Sequence, residues 1–172
     1  KSIKTTISLL FITASISFAG SLTLKSTEVS QGKMMNKAQE FTGFGCSGSN
    51  LSPELSWSGE PEGTEAFALF VYDPDAPTGS GWWHWQLVNI PKTVKSLVAG
   101  AGNENGKMIP SGSFQSINDY GSKSFGGACP PEGHGVHRYQ FTLYALSKKL
   151  ELSENASAAL VGYMVKANSL AS

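Results

Sequence analysis

A chain of 172 residues is long enough for one domain with a substantial core. Apolar residues make up 40% and charged residues 15%, which excludes a disordered chain. Thirteen basic residues balance 13 acidic ones without forming a basic stripe, which argues against nucleic acid as a partner.

In chain order, the first element is not part of a fold. Lys1 and Lys4 form a short positive stretch before an uncharged apolar run, ISLLFITASISFA, and the small residues Ser17 and Ala19 precede Gly20 as a cleavage site. This pattern predicts a secretory signal peptide over 1–19 and a single domain over 20–172. Removal of Lys1 and Lys4 leaves a net charge of −2. The run is too short and wrongly flanked for a membrane-spanning helix, so no stable membrane insertion is expected, and the compartment implied is the periplasm. In an oxidising compartment the even pair Cys46 and Cys129 is expected to form a disulfide rather than a metal site.

SLTLKSTEV (Ser21–Val29) alternates weakly, as an early edge strand. The Gly-, Ser- and Pro-rich stretch that follows reads as loops around short strands. AFALFVY (Ala66–Tyr72) is a continuous apolar run of strand length, predicted to be buried on both faces. A second strand is predicted over Trp83–Ile90. The region from Val98 to Gly135 is glycine-rich and aperiodic, a length of loop that calls for bracing or function. RYQFTLYAL (Arg138–Leu146) alternates, with Tyr139, Phe141, Leu143 and Ala145 on one face. Near the end, Ala156, Leu160, Val161, Met164 and Ala167 recur at helical spacing after Ser153 or Asn155 as N-cap. The class is mainly β, a β-sandwich with one late helix.

The chemistry gathers in DPDAPTGSGWWHWQLVNIP (Asp73–Pro91) and in GVHRY around His137. Asp73 and Asp75 stand at i and i+2 between stiffening prolines; if the backbone stays extended, both carboxylates project to one side. His84 lies among Trp82, Trp83 and Trp85. Nucleophilic hydrolysis lacks a GxSxG motif, and the cysteines are better used as a bridge. Two carboxylates permit glycoside chemistry, and two Asp with two His permit a metal. The remaining reading is an anion pocket, with imidazoles and backbone amides as holders and aromatic walls.

Taken in order, DPDAP, GWWHWQLVNIP and CPPEGHGVHRYQFTLYAL resemble the signature regions of the phosphatidylethanolamine-binding proteins, in particular their exported bacterial Raf-kinase-inhibitor-like branch. GFGCSGSNLSPELSWSG and SAALVGYMVKANSLA fit as well, so the likeness spans Leu22 to Ala171. The resemblance implies a β-sandwich of two antiparallel sheets with a C-terminal helix beside a small anion-binding pocket. It implies Asp73, Asp75, His84, His137 and Tyr139 as ligand-binding residues, with Trp83 and Pro131 on the rim. It implies a binding or inhibitory module rather than an enzyme, with no metal or other cofactor. The partner would be a small anion or phosphorylated head group, or a protein, and the state a monomer or weak homodimer. A short further segment after the helix, packing near the pocket, is also implied.

Two acids beside an anion call for a division of labour. A carboxylate that accepts from one ring N–H of a histidine leaves the other ring nitrogen for the ligand. Protonated imidazoles would make anion affinity strengthen as pH falls from about 8 to about 6.

Overall fold

The computed structural model describes residues 21–172, so the predicted signal peptide lies outside the described residues. The first strand, β1 (Thr23–Lys25), is much shorter than the expected edge. Ser26 ends it: its hydroxyl donates to the Glu54 carbonyl and accepts from the amides of Glu28 and Val29, which turns the chain. A single 3-10 turn, Lys37–Gln39, leads into a small hairpin of β2 (Thr42–Gly43) and β3 (Cys46–Ser47). Then come β4 (Leu55–Ser58), β5 (Ala66–Asp73), β6 (Trp82–Pro91), β7 (Ser96–Leu97) and β8 (Phe114–Gln115). The chain closes with β9 (Gln140–Leu146), helix α1 (Ala158–Ala167) and β10 (Ser169–Ala171).

Five strands form one antiparallel sheet in the order β10-β9-β5-β6-β8, and a smaller sheet runs β1-β4-β7. β5 lies at the centre, buried on both faces, as its unbroken apolar run requires. Phe67, Leu69 and Val71 point between the sheets, where they meet Leu55 and Trp57 of β4 and Trp85 and Leu87 of β6. Ala66, Ala68 and Phe70 point the other way, against Val161 and Val165 of α1. The two sheets and the helix therefore make a sandwich covered on one face. Losing a ring as deeply buried as Phe67 or Trp85 costs about 3–5 kcal/mol.

The helix begins later than its periodicity predicts. Its N-cap is Ser157, whose hydroxyl accepts from the Leu160 amide, while Ser153 closes a separate turn onto Ala156. Packing of Val161 and Val165 on the sheet selects this register, and Leu160 stays exposed.

The glycine-rich stretch is braced from within. β8 extends the large sheet alongside β6, and Gln115 accepts from the Trp85 indole at 2.6 Å while donating to the Asn103 carbonyl. Phe125 anchors the stretch in the inter-sheet core.

Candidate functional site

β5 and β6 are not in simple register near their adjoining ends. Val71 pairs with Trp85 and Tyr72 with Trp83, so His84 is the extra residue of a β-bulge. The bulge lets His84 and Trp85 share a side: Trp85 enters the core, and His84 faces a cavity together with Trp82. Trp83 goes to the opposite face, against Phe70 and Tyr72. The expected rim position of Trp83 is therefore held by its neighbour Trp82.

The cavity has a volume of about 320 Å3. Its floor holds Asp73, His84, His137 and Tyr139, and its walls are Trp82, Tyr120, Phe44, the Ala76–Thr78 loop and Cys129 to Pro131. Of the seven ligand-site residues expected from sequence, Asp73, His84, Pro131, His137 and Tyr139 meet here. Asp75 does not. The backbone turns at Pro74 because Asp73 Oδ1 accepts from the Asp75 amide at 2.8 Å, so DPD is not extended. The Asp75 carboxylate instead takes a two-pronged bond from the exposed Arg138 guanidinium, which lowers its pKa to about 2.

Asp73 is only 3% exposed, and both its oxygens are occupied. Oδ2 accepts from His137 Nδ1 at 2.7 Å, while Oδ1 holds the turn. Because a carboxylate in this pair accepts, His137 carries its proton on Nδ1 and keeps Nε2 for a ligand. His84 reaches the same tautomer through a different partner: Nδ1 donates to the Gly126 carbonyl at 2.7 Å. Among the described residues, neither Nε2 has a hydrogen-bond partner. Burial lowers the His84 pKa below its usual 6.5, opposed by the Gly126 carbonyl and the charges of Asp73 and Asp119. The carboxylate partner expected at His84 or His137 is at His137, and His84, with its pKa lowered, is neutral at pH 7.

Two donors on residues that line the cavity also lack partners. Trp82 Nε1 and Tyr139 Oη are buried and have no hydrogen-bond partner among the described residues. The Cys129 amide faces the Tyr139 oxygen without closing a bond. Burial first, and then the negative charge of Asp73, raises the pKa values of Tyr120 and Tyr139, so both phenols remain protonated.

Tyr120, which sequence periodicity did not single out, is placed by long-range bonds. Its hydroxyl donates to the Gly127 carbonyl at 2.9 Å, and its ring lies edge-on to His84. Asn118 joins this wall to the floor: its amide donates to the His84 and Ser124 carbonyls and its oxygen accepts from the Tyr120 and Ser122 amides. Gly126 is required for a close approach, since a Cβ there would lie 2.3 Å from the Tyr120 ring. Cys46 and Cys129 form the expected disulfide, and it stands in the wall.

Among the described residues, no three His, Cys, Asp or Glu side chains come together as metal ligands. No described helix is long and apolar enough to cross a membrane.

The profile of the phosphatidylethanolamine-binding protein family matches residues 25–172. YbcL of Escherichia coli strain K12 is 52% identical over 95% of this chain and 89% of its own. Its crystal structure, described as a new member of the mammalian PEBP family, superposes with a TM-score of 0.85 over 87% of this chain and 92% of that one. YbhB of the same organism is 43% identical over 87% of this chain and 94% of its own. LppC of Mycobacterium tuberculosis strain H37Rv, which carries the name of a lipoprotein, is 38% identical over 66% of this chain and 52% of its own. With the sandwich, the signature residues around one cavity and these matches in agreement, the chain belongs to the phosphatidylethanolamine-binding protein family.

Proposed function

We propose that this chain is an exported binding protein that holds a small anion or phosphorylated head group in the cavity beneath Trp82 and Tyr120. One observation carries the reading: among the described residues Nε2 of His84 and Nε2 of His137 have no protein partner, and both rings line a single cavity together with Trp82 and Tyr139, whose Nε1 and Oη are buried beside it without a partner. Polar groups without a protein partner beside a cavity are available to a ligand. The carboxylate oxygens do not face the ligand, because those of Asp73 are held by His137 and the Asp75 amide, and those of Asp75 by Arg138. Neutral His84 accepts a hydrogen bond at Nε2 from the hydroxyl of a monohydrogen phosphate or from an ammonium, and the indole and phenol are donors.

The role is binding or inhibition rather than catalysis. Cys129 lines the cavity as half of a disulfide, so its sulfur is not a free thiolate, and the Thr78 hydroxyl donates to the Gly81 carbonyl. Export is supported by the N-terminal pattern, by the disulfide and by the name of one relative. A protein-interaction module is the second reading, favoured by Phe44, which stands 77% exposed at the cavity.

Calorimetric titration of residues 20–172 with phosphate and with phosphoethanolamine tests the proposal. Saturable binding that is lost in His137→Ala is expected; no heat with either ligand sinks it. Protonation of His84 adds a donor at Nε2, so affinity gains from His84 only as pH falls below 6.5. The groups facing that ring are Asp73, His137, Asp119, Tyr120 and Tyr139, of which Asp73 and Asp119 favour its protonation.

A further inference from the structure

Phe44 is the residue of this cavity that packing does not explain. It sits at the tip of the β2–β3 hairpin with φ 52°, between Gly43 at φ 137° and Gly45 at φ 90°. A phenylalanine in left-handed backbone persists only where its surroundings hold it. The base of the hairpin is held by the backbone: the Phe41 amide donates to the Ala128 carbonyl, and the Ala128 amide donates to the Gln39 carbonyl. The tip is tied by the Cys46–Cys129 disulfide, whose Cα atoms are 6.0 Å apart. Beyond that bridge, the Phe44 ring has contacts with Phe41 and Tyr120 at centroid distances of 5.6 and 5.8 Å. Most of the ring is left open, and it lines the cavity.

The titratable groups Asp73, His84 and His137 lie on the cavity's floor, whereas Phe44, Ala76, Pro77, Pro130 and Pro131 give its wall an apolar lining. A volume of about 320 Å3 is roughly ten times the ~30 Å3 share of one water, far more than a bare anion fills. The geometry points to Phe44 as the specificity-determining wall, selecting an anion that carries an apolar group over the bare anion, with the Cys46–Cys129 bridge holding the ring in place. This deepens the anion-binding reading above and rests on it.

The bridge also makes the selection sensitive to thiols. Both cysteines are partly exposed. A dithiol that attacks one sulfur breaks the bond, passes two electrons and two protons to the pair, and leaves as its own disulfide. The hairpin keeps its backbone bonds at the base and its own β2–β3 pairing, while across to the Tyr120 side the tip keeps only the aromatic contact of Phe44.

The test compares phenyl phosphate with inorganic phosphate by calorimetry, and the readout is the ratio of the two affinities. The disulfide-bonded protein is expected to prefer phenyl phosphate. Phe44→Ala, at an exposed position outside the buried core, is expected to lower that ratio by roughly three- to tenfold, the worth of one aromatic contact. Dithiothreitol treatment of the native protein, with free thiols counted, should lower the ratio in the same direction, as should the Cys46→Ser, Cys129→Ser double variant. A ratio unchanged in Phe44→Ala overturns the role of the ring, and a ratio unchanged on full reduction overturns the role of the bridge. Failure of the underlying reading looks different: the native, oxidised protein then binds neither compound.

Discussion

The floor and the wall of the cavity are made from different kinds of chain. Asp73 and His84 project from β5 and β6, and Tyr139 immediately precedes β9; these adjacent strands are hydrogen-bonded along much of their length over fully buried Phe67, Leu69 and Trp85. Phe44, Tyr120 and Cys129 come from a short hairpin and two loops. Side-chain bonds from Asn50 and Asn118 and a disulfide across 83 residues hold them there. A floor of this kind resists local opening because it shares the sheet's cooperativity, whereas the wall can loosen while the sheet stays folded. On the function proposed above, the floor fixes the binding chemistry, and the wall sets access and selectivity.

The largest expected effect comes from breaking the floor. Asp73→Ala leaves His137 buried without its acceptor and opens the turn at Asp75, at a cost of about 3 kcal/mol in urea unfolding. A loss below about 1 kcal/mol would mean the pair is not structural. Next is the wall's covalent tie: Cys46→Ser with Cys129→Ser should cost about 2–4 kcal/mol. Amide exchange should rise around Phe44 and Ala128 with β5 still protected, and equal loss of protection in β5 would erase the distinction. Gly126→Ala sharpens the comparison further. Its Cβ meets the Tyr120 ring, so about 1–3 kcal/mol is expected, with a displaced Tyr120 signal and unchanged Asp73–His137 chemistry.

The smallest effect belongs to Asp75→Ala. Its partner Arg138 is exposed, so no resolvable change in stability is expected at pH 7. Because the folded pKa lies below the usual 3.8, any contribution is present above that value and disappears as pH falls through about 2. A clear loss of ligand affinity in this variant would contradict its placement outside the cavity.

The same division governs what the sequence reveals. The core of β5 and the alternation of β9 are legible because apolar pattern follows strand geometry, and Asp73, His84, His137 and Tyr139 fall within recognisable motifs. The bulge at His84 is not legible, since periodicity carries no sign of an inserted residue; hence Trp83 stood where Trp82 belongs. Asp75 was misplaced because an Asx-type turn and an extended DPD share one sequence. Tyr120 and Phe44 reach the cavity only through partners remote in the chain. The helix start was ambiguous for another reason: Ser153, Asn155 and Ser157 are all good caps, and packing chooses among them.

The central claim is that both histidines keep Nδ1 committed to the protein and offer Nε2 to the ligand. Titration of ring-15N-labelled protein with phosphate at pH 7 tests it most directly. The account predicts that Nε2 of His84 and of His137 shift saturably while both Nδ1 signals remain those of protonated donors. Nε2 signals that stay still at saturating phosphate, or Nδ1 signals that move in their place, would contradict it.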